Sequence, residues 1–304
     1  MPPQVGALAL ARDALTDAFP MPRQRRFSHD GLDSLEAGLA VLEVIGTESP
    51  QLSLTEISSR LGLYKSRVFR ILQTLKRRGF VGQAVKGGPY HLGWKVLELA
   101  HVLTESHSLL TAAAPVLSDL SRELRGTVVL RVLQGDEQLT LQCVHSPEIL
   151  RTSFPVGART SATYGSTGKA LLAFLPPTVA VGTLERAVSA GKHVGKSPDQ
   201  FLRELATIRR TGYAINLEET VQGVRGVAAP VLNRNREALA AIAASFPAAA
   251  LPRHRIPEVA RQVREAALRI GVRLGQQAPI SATSASRPAA QLSGSRRPTR
   301  ASRI

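Results

Sequence analysis

The stretch SLTEISSRLGLYKSRVFRILQTLKRRGFV, residues 53–81, restricts the fold more than any other part of the chain. Ser53 can cap a helix, and Glu56 three positions later completes a capping box. Ile57 and Leu61 supply the inner face of that first helix. Leu61-Gly62-Leu63 makes the turn, because Gly62 can enter the left-handed conformation that a sharp break requires. A second helix from about Tyr64 to Arg78 carries Val68, Ile71, Leu72 and Leu75 at the spacing of one buried stripe. Its other side presents Lys65, Ser66, Arg67, Phe69, Arg70, Gln73 and Lys76. Such a pair is a helix-turn-helix whose polar face suits the major groove.

Any amphipathic helix pair has a buried stripe and a solvated face, so the pattern alone leaves a structural reading open. Charge argues for a nucleic-acid partner. Residues 51–95 hold nine Lys and Arg against the single acid Glu56, which accounts for half of the chain's net +16. A concentrated basic field is the footprint of a phosphate partner. Phe80-Val81-Gly82-Gln83 and Tyr90-His91-Leu92 read as short strands around a turn-rich Lys86-Gly87-Gly88-Pro89. That hairpin makes a wing with Lys86 at its tip, within reach of the sugar-phosphate backbone. Upstream, Leu35, Leu39, Leu42 and Ile45 step by three and four toward a helix stop at Gly46. The whole reads as a winged helix-turn-helix.

These segments resemble the IclR family of bacterial transcriptional regulators. Ser34 to Leu42 is similar to the family's opening helix, Leu52 to Ile57 and Lys65 to Leu75 to its two DNA-binding helices, and Gly79-Phe80-Val81 with Tyr90 to Gly93 to its wing. The family usually has Thr and His where this chain has Arg67 and Phe69. Those departures fall on the groove-facing side, so they bear on which operator is read and leave the domain intact.

Length and composition fit two soluble domains. The chain has 304 residues, 43% of them hydrophobic. Its one cysteine, Cys143, excludes an internal disulfide framework and a multi-cysteine zinc site. No apolar run reaches the roughly 18 residues of a membrane span. Near the N-terminus, Leu8-Ala9-Leu10 precedes the cluster Arg23, Arg25 and Arg26, the reverse of a signal peptide's order. Residues 1–29 read as a flexible arm, either solvated or touching DNA. Residues 276–304, with five arginines and no acid, read as a disordered basic tail. The expected location is the cytoplasm.

The second half alternates in pattern. Trp94 to Leu103 is helical and carries the chain out of the wing, and a helix from about Leu110 to Arg125 follows. Thr127–Leu133 and Gln138–His145 read as strands joined by the hairpin signal Gly135-Asp136, and Leu150–Phe154 continues the strand pattern. Thr167–Leu175 and Asp199–Thr211 are helix candidates, the second opened by Ser197-Pro198-Asp199. Tyr213–Asn216, Arg225–Leu232 and Leu239–Phe246 read as three more strands, and Pro257–Leu274 as a last helix. Six strands with segregated helices make an α+β sheet domain. Here too the chain resembles the family, in Gly168 to Pro176, Ile208 to Ala214 and Glu218 to Val231. The resemblance spans about residues 31–274 and implies a GAF-like effector domain with a six-stranded, mainly antiparallel sheet. The expected organisation is an arm (1–29), a winged DNA-binding domain (30–93), a linker helix at the dimer contact (94–108), an effector domain (109–274) and a tail (275–304).

Two local patterns imitate catalytic motifs. Gly165-Ser166-Thr167-Gly168-Lys169-Ala170 suggests a phosphate loop, but that motif needs Gly at 163 and Ser or Thr at 170, where the chain has Thr163 and Ala170. Ser166 and Lys169 have the spacing of a Ser-Lys nucleophile pair, yet no Lys-Thr-Gly follows. The seven histidines offer no helical metal pair, so no metal and no cofactor is expected. Cys143 is either a small core residue or part of a cavity wall.

The expected function is a ligand-responsive transcriptional regulator and no enzyme. Double-stranded DNA would be contacted by Lys65, Ser66, Arg67, Phe69, Arg70, Gln73 and Lys86, with Phe69 packing either on a thymine methyl or inward. The partner copy would make a dimer or dimer of dimers on a roughly palindromic site. By resemblance, the effector pocket would use Gly165, Ser166, Thr167, Asn216, Gly226, Ala243 and Ser245. Relatives that bind small carboxylates often have Asp, Cys and Ser at 216, 226 and 243. Gly226 and Ala243 remove volume and a hydrogen-bonding group and Asn216 removes a negative charge, which points to an enlarged pocket and a bulkier acid, such as an aromatic one, held at a helix N-terminus. Two alternatives remain: a ligand-independent DNA-binding protein with a degenerate pocket, and an enzyme carrying a regulatory DNA-binding domain.

Overall fold

A computed structural model describes residues 33–47, 51–192 and 197–276. The arm expected over 1–29, and the expected tail apart from its first two residues, lie outside the described residues. The N-terminal unit contains helices α1 (Asp33–Thr47), α2 (Leu54–Leu61) and α3 (Lys65–Arg77), then strands β1 (Val81–Gln83) and β2 (Tyr90–Leu92). Ser53 Oγ accepts from the Glu56 amide at 3.2 Å and Glu56 Oε2 from the Ser53 amide at 2.8 Å, closing the capping box. Gly62 ends α2 at φ +63°, the left-handed conformation that the turn demands. Val41, Ile45, Ile57, Val68, Leu72, Val81 and Tyr90 interlock as one small core. Leu52 adds a third rung to the wing by exchanging backbone hydrogen bonds with Tyr90.

The inner face of α1 differs from the one expected. Leu35 and Leu39 point to solvent, and Ala37, Val41 and Ile45 are buried. The four-residue spacing of the buried set, begun by a small Ala37, lets α1 lie close against α3. Gly46 does not stop the helix, which continues to Thr47.

Helix α4 (Trp94–Ser106) leads away from the wing and has no buried residue. The rest of the chain forms a six-stranded, fully antiparallel sheet in the order β5-β4-β3-β8-β7-β6. Its strands are β3 (Thr127–Gln134), β4 (Glu137–Val144), β5 (Arg159–Ser161), β6 (Ala214–Leu217), β7 (Val224–Leu232) and β8 (Ala238–Pro247). Strand alternation divides the apolar residues between two faces. Val128, Leu130, Val227, Ala229, Ile242 and Ala244 pack on α5 (Ser108–Leu124) and α9 (Ile256–Gln276). Val129, Ala228, Ala241 and Ala243 look toward α6 (Gly165–Leu172) and α8 (Pro198–Thr211). Helix α7 (Pro177–Ser189), which the sequence reading passes over, covers part of this second layer.

One expected strand does not form. Residues 150–154 are loop, and the edge strand is β5. The chain first turns at Pro155, where the Ala158 amide bonds the Pro155 carbonyl and Gly157 takes φ +86°. Only after that turn can it pair with β4, through Leu139↔Arg159, Gln138↔Thr160 and Glu137↔Ser161.

Candidate nucleic-acid interface and effector site

Helix α3 buries Val68 and Leu72 and leaves its opposite side to solvent. Lys65, Ser66, Phe69, Arg70 and Gln73 are all exposed there, and Phe69 faces outward at 46% exposure. The Lys65 and Arg70 side chains have no ion-pair partner among the described residues. Arg67 departs from the expectation of a freely displayed side chain. Its guanidinium ion-pairs with the Asp33 carboxylate at 2.9 Å and donates to the Asp33 carbonyl at 3.0 Å, tying α3 to the start of α1. At the other end, Lys76 Nζ donates to Gln83 Oε1 at 3.0 Å, and Gln83 Nε2 to the Gly88 carbonyl at 2.8 Å. This relay sets the wing against the helix and leaves Lys86 exposed in the turn. A Cβ on Gly93 would lie 2.1 Å from the Gly79 carbonyl oxygen, so only glycine lets α4 leave the wing this closely.

In the second unit, the expected site residues converge on the sheet face beneath α6. Gly165 opens that helix at φ +72°, and a Cβ on Gly168 would sit 2.1 Å from the Ala162 carbonyl oxygen, so these two glycines seat the helix end. Its first-turn amides have no helical partner. Ser166 and Ser245 are nearly buried, yet neither hydroxyl has a hydrogen-bond partner among the described residues. Ala243 lies on an inner strand between Val129 and Ala228, on the same sheet face.

Two expected pocket residues have close neighbours of their own. A Cβ on Gly226 would meet the Ala244 carbonyl oxygen at 3.3 Å and Ser166 Oγ at 3.5 Å, so this glycine lies under the start of α6. Asn216 turns its amide on its own loop, donating to Thr220 Oγ1 at 3.1 Å and accepting from the Glu219 amide at 3.1 Å. Tyr164 closes over the same loop through its hydroxyl, 2.6 Å from the Thr220 carbonyl.

Lys169, the residue behind both catalytic look-alikes, is 2% exposed. Its Nζ donates to Glu204 at 2.8 Å, to Glu219 at 2.6 Å and to the Ile215 carbonyl at 2.7 Å. An ammonium has three donors, and all three are engaged. Lys169 therefore braces α8 and the 215–219 loop and has no proton left for a phosphate or for Ser166.

The sequence reading misses Arg131. It points from β3 to the α6 side, where its Nε donates to Thr140 Oγ1 at 3.1 Å and one terminal nitrogen to Gln138 Oε1 at 3.4 Å and Thr167 Oγ1 at 3.3 Å. The guanidinium lies 5.1 Å from the centre of the Phe154 ring. Burial pushes its pKa down to about 10, so it stays charged near neutral pH. Cys143 stands on the same face, half-buried, with burial raising its thiol pKa. The signal for Arg131 was a lone charge within the apolar run Val128-Val129-Leu130-Arg131-Val132-Leu133. Among the described residues there is no cluster of metal-ligating side chains, and no helix is long and apolar enough to cross a membrane.

Comparison with known proteins agrees with this geometry. Residues 34–84 match the IclR helix-turn-helix domain, and residues 101–272 match the bacterial transcriptional regulator IclR C-terminal domain. The chain is 31% identical to the transcriptional repressor IclR of Escherichia coli over 251 residues, covering 80% of this chain and 90% of that protein. Among solved structures, the RHA06195 protein of Rhodococcus sp. RHA1 superposes with a TM-score of 0.71 at 25% identity, covering 81% of this chain and 99% of that one. An IclR homologue from Microbacterium hydrocarbonoxydans, complexed with 4-hydroxybenzoate, has the same fold, with a TM-score of 0.69 at 24% identity, covering 80% and 100% of the two chains. The chain belongs to the IclR family of bacterial transcriptional regulators.

Proposed function

We propose that this regulator reads a roughly palindromic operator as a dimer or a dimer of dimers, and that a small organic acid bound under α6 changes its affinity for DNA. The observation that carries the DNA half is the outward face of α3. Lys65, Ser66 and Arg70 lie exposed in its first two turns, where a recognition helix meets base edges. Lys86 in the wing turn is the matching phosphate contact. One winged unit offers few base contacts, so selective binding calls for two copies. Helix α4 supports such a seam, with Trp94 82%, Leu97 62% and Val102 64% exposed in the single chain. Burying a side chain of that size stabilises by about 1.5–3 kcal/mol.

The effector half rests on the unpaired Ser166 and Ser245 hydroxyls and the first turn of α6. These features favour an effector-responsive protein over an architectural one. The engagement of all three Lys169 donors favours regulation over catalysis. The protein works in the cytoplasm, beside the DNA it reads.

The test combines enrichment of duplexes from a random pool with sedimentation of the full chain. Selected duplexes should be inverted repeats bound by two or four copies, and an organic acid should change their affinity. Monomers only at micromolar concentration, with and without the selected DNA, would overturn the assembly.

A further inference from the structure

Arg131 is nine-tenths buried and has no carboxylate partner among the described residues. A buried cation is expensive unless paired, and its present contacts are neutral hydroxyl and amide oxygens. Three neighbours bear on what completes it. Thr167 Oγ1 lies 3.3 Å from its guanidinium and belongs to the first turn of α6, whose amides and dipole favour an anion at the same place. Thr167 also donates to Gln138 Oε1 at 2.6 Å, and Gln138 Nε2 bonds the Ser161 and Tyr164 carbonyls at 3.0 and 2.6 Å. The walls of the guanidinium's niche are thus already satisfied without it. The ring of Phe154 covers one of its flat sides.

We propose that Arg131 is the anion anchor of the effector site, its guanidinium and the first turn of α6 together receiving the carboxylate of an aromatic monocarboxylic acid. The inference rests on the effector reading above and names the ligand class. The strand residues beside the anchor are Ala241, Ala243 and Ala228, small and unbranched, which suits the flat face of an aromatic acid. A polar substituent would meet the Ser245 hydroxyl further along the same face. Arg131 pairs with Ala241, and Ser245 is four residues further along β8, a backbone distance of about 13 Å. The guanidinium fork matches a carboxylate in two-point geometry, which a lysine cannot reproduce.

The experiment uses the full chain and four probes: acetate, benzoate, 4-hydroxybenzoate and 4-hydroxybenzamide. In thermal shift and calorimetry, the two aromatic acids should stabilise the wild-type protein. 4-Hydroxybenzoate should bind more tightly than acetate, and the amide should bind at least ~30-fold more weakly than its acid. Arg131→Met should lose the response to acids while the unliganded protein melts no lower than wild type, because it removes an uncompensated buried charge. Arg131→Lys, which keeps the charge, should bind 4-hydroxybenzoate weakly and serves if the Met variant does not fold. Equal binding of amide and acid, or an undiminished acid response in either variant, would overturn the anchor. If acids still change the DNA affinity of the variants as in wild type, the anchor falls and the effector reading stands. If no acid stabilises the wild-type chain, both fall.

Discussion

The two halves of the chain hold positive charge in opposite ways. On α3 and the wing, Lys65, Arg70 and Lys86 stand in solvent. In the effector half, Lys169 and Arg131 are buried within one layer of side chains. Exposed charges act additively, are screened by salt and suit a polyanion whose sequence varies. A buried charge must meet a fixed partner. Lys169 has its partners in Glu204 and Glu219, so it is structural. Arg131 has only neutral partners and no carboxylate among the described residues, which is the basis for proposing it as a ligand anchor. Residue type alone does not separate these roles; the surroundings do.

The largest expected effects test whether the halves are separate. Leu72→Ala opens a cavity in the small N-terminal core and should destabilise it by about 2–5 kcal/mol. DNA binding should vanish, while the melting response to an effector acid persists. Lys169→Met strands two partly exposed carboxylates and should cost about 3 kcal/mol in the effector half. Urea denaturation followed by circular dichroism, with limited proteolysis to locate the loosened half, checks both. Loss of both activities in either variant would break the comparison.

A smaller effect separates two arginines three positions apart. Arg70→Ala should cost about 1–3 kcal/mol of discrimination against the wrong base, measured by competition among duplexes. Arg67→Ala should cost less than about 1 kcal/mol of stability, since it removes an exposed pair with Asp33. Equal losses of selectivity would mean that Arg67 leaves Asp33 for the groove on binding.

The smallest effect belongs to Lys86. Lys86→Ala should weaken binding to every duplex alike and reduce the salt dependence by about one unit of slope in a plot of log affinity against log salt. A sequence-selective loss would instead make the wing a base reader.

The DNA-binding half was legible because its signals are local. A capping box spans three residues, a helix stripe repeats within a turn, and a display face is the remainder of that stripe. Even there, α1 was misjudged, since Leu35 and Leu39 look more like core than Ala37 does. Only the approach of α3 shows which side is covered. The effector half was legible as strands and helices, except where the Pro155 turn replaced an expected strand at 150–154.

What the sequence by itself determined was the helix-turn-helix, the wing, the concentration of charge on one helix face and the approximate order of the sheet elements. Each depends on residues a few positions apart. The tertiary structure decided the surroundings of the proposed ligand site, because its parts come from β3, α6, β7 and β8: strand register sets Arg131 beside Ala241, and the packing of α6 on the sheet brings Thr167 to them. It also decided that Gly226 lies under the start of α6, and that Lys169 is held by Glu204, Glu219 and the Ile215 carbonyl instead of holding a phosphate. Whether a small residue leaves space, or a charge lacks a partner, depends on what folds against it.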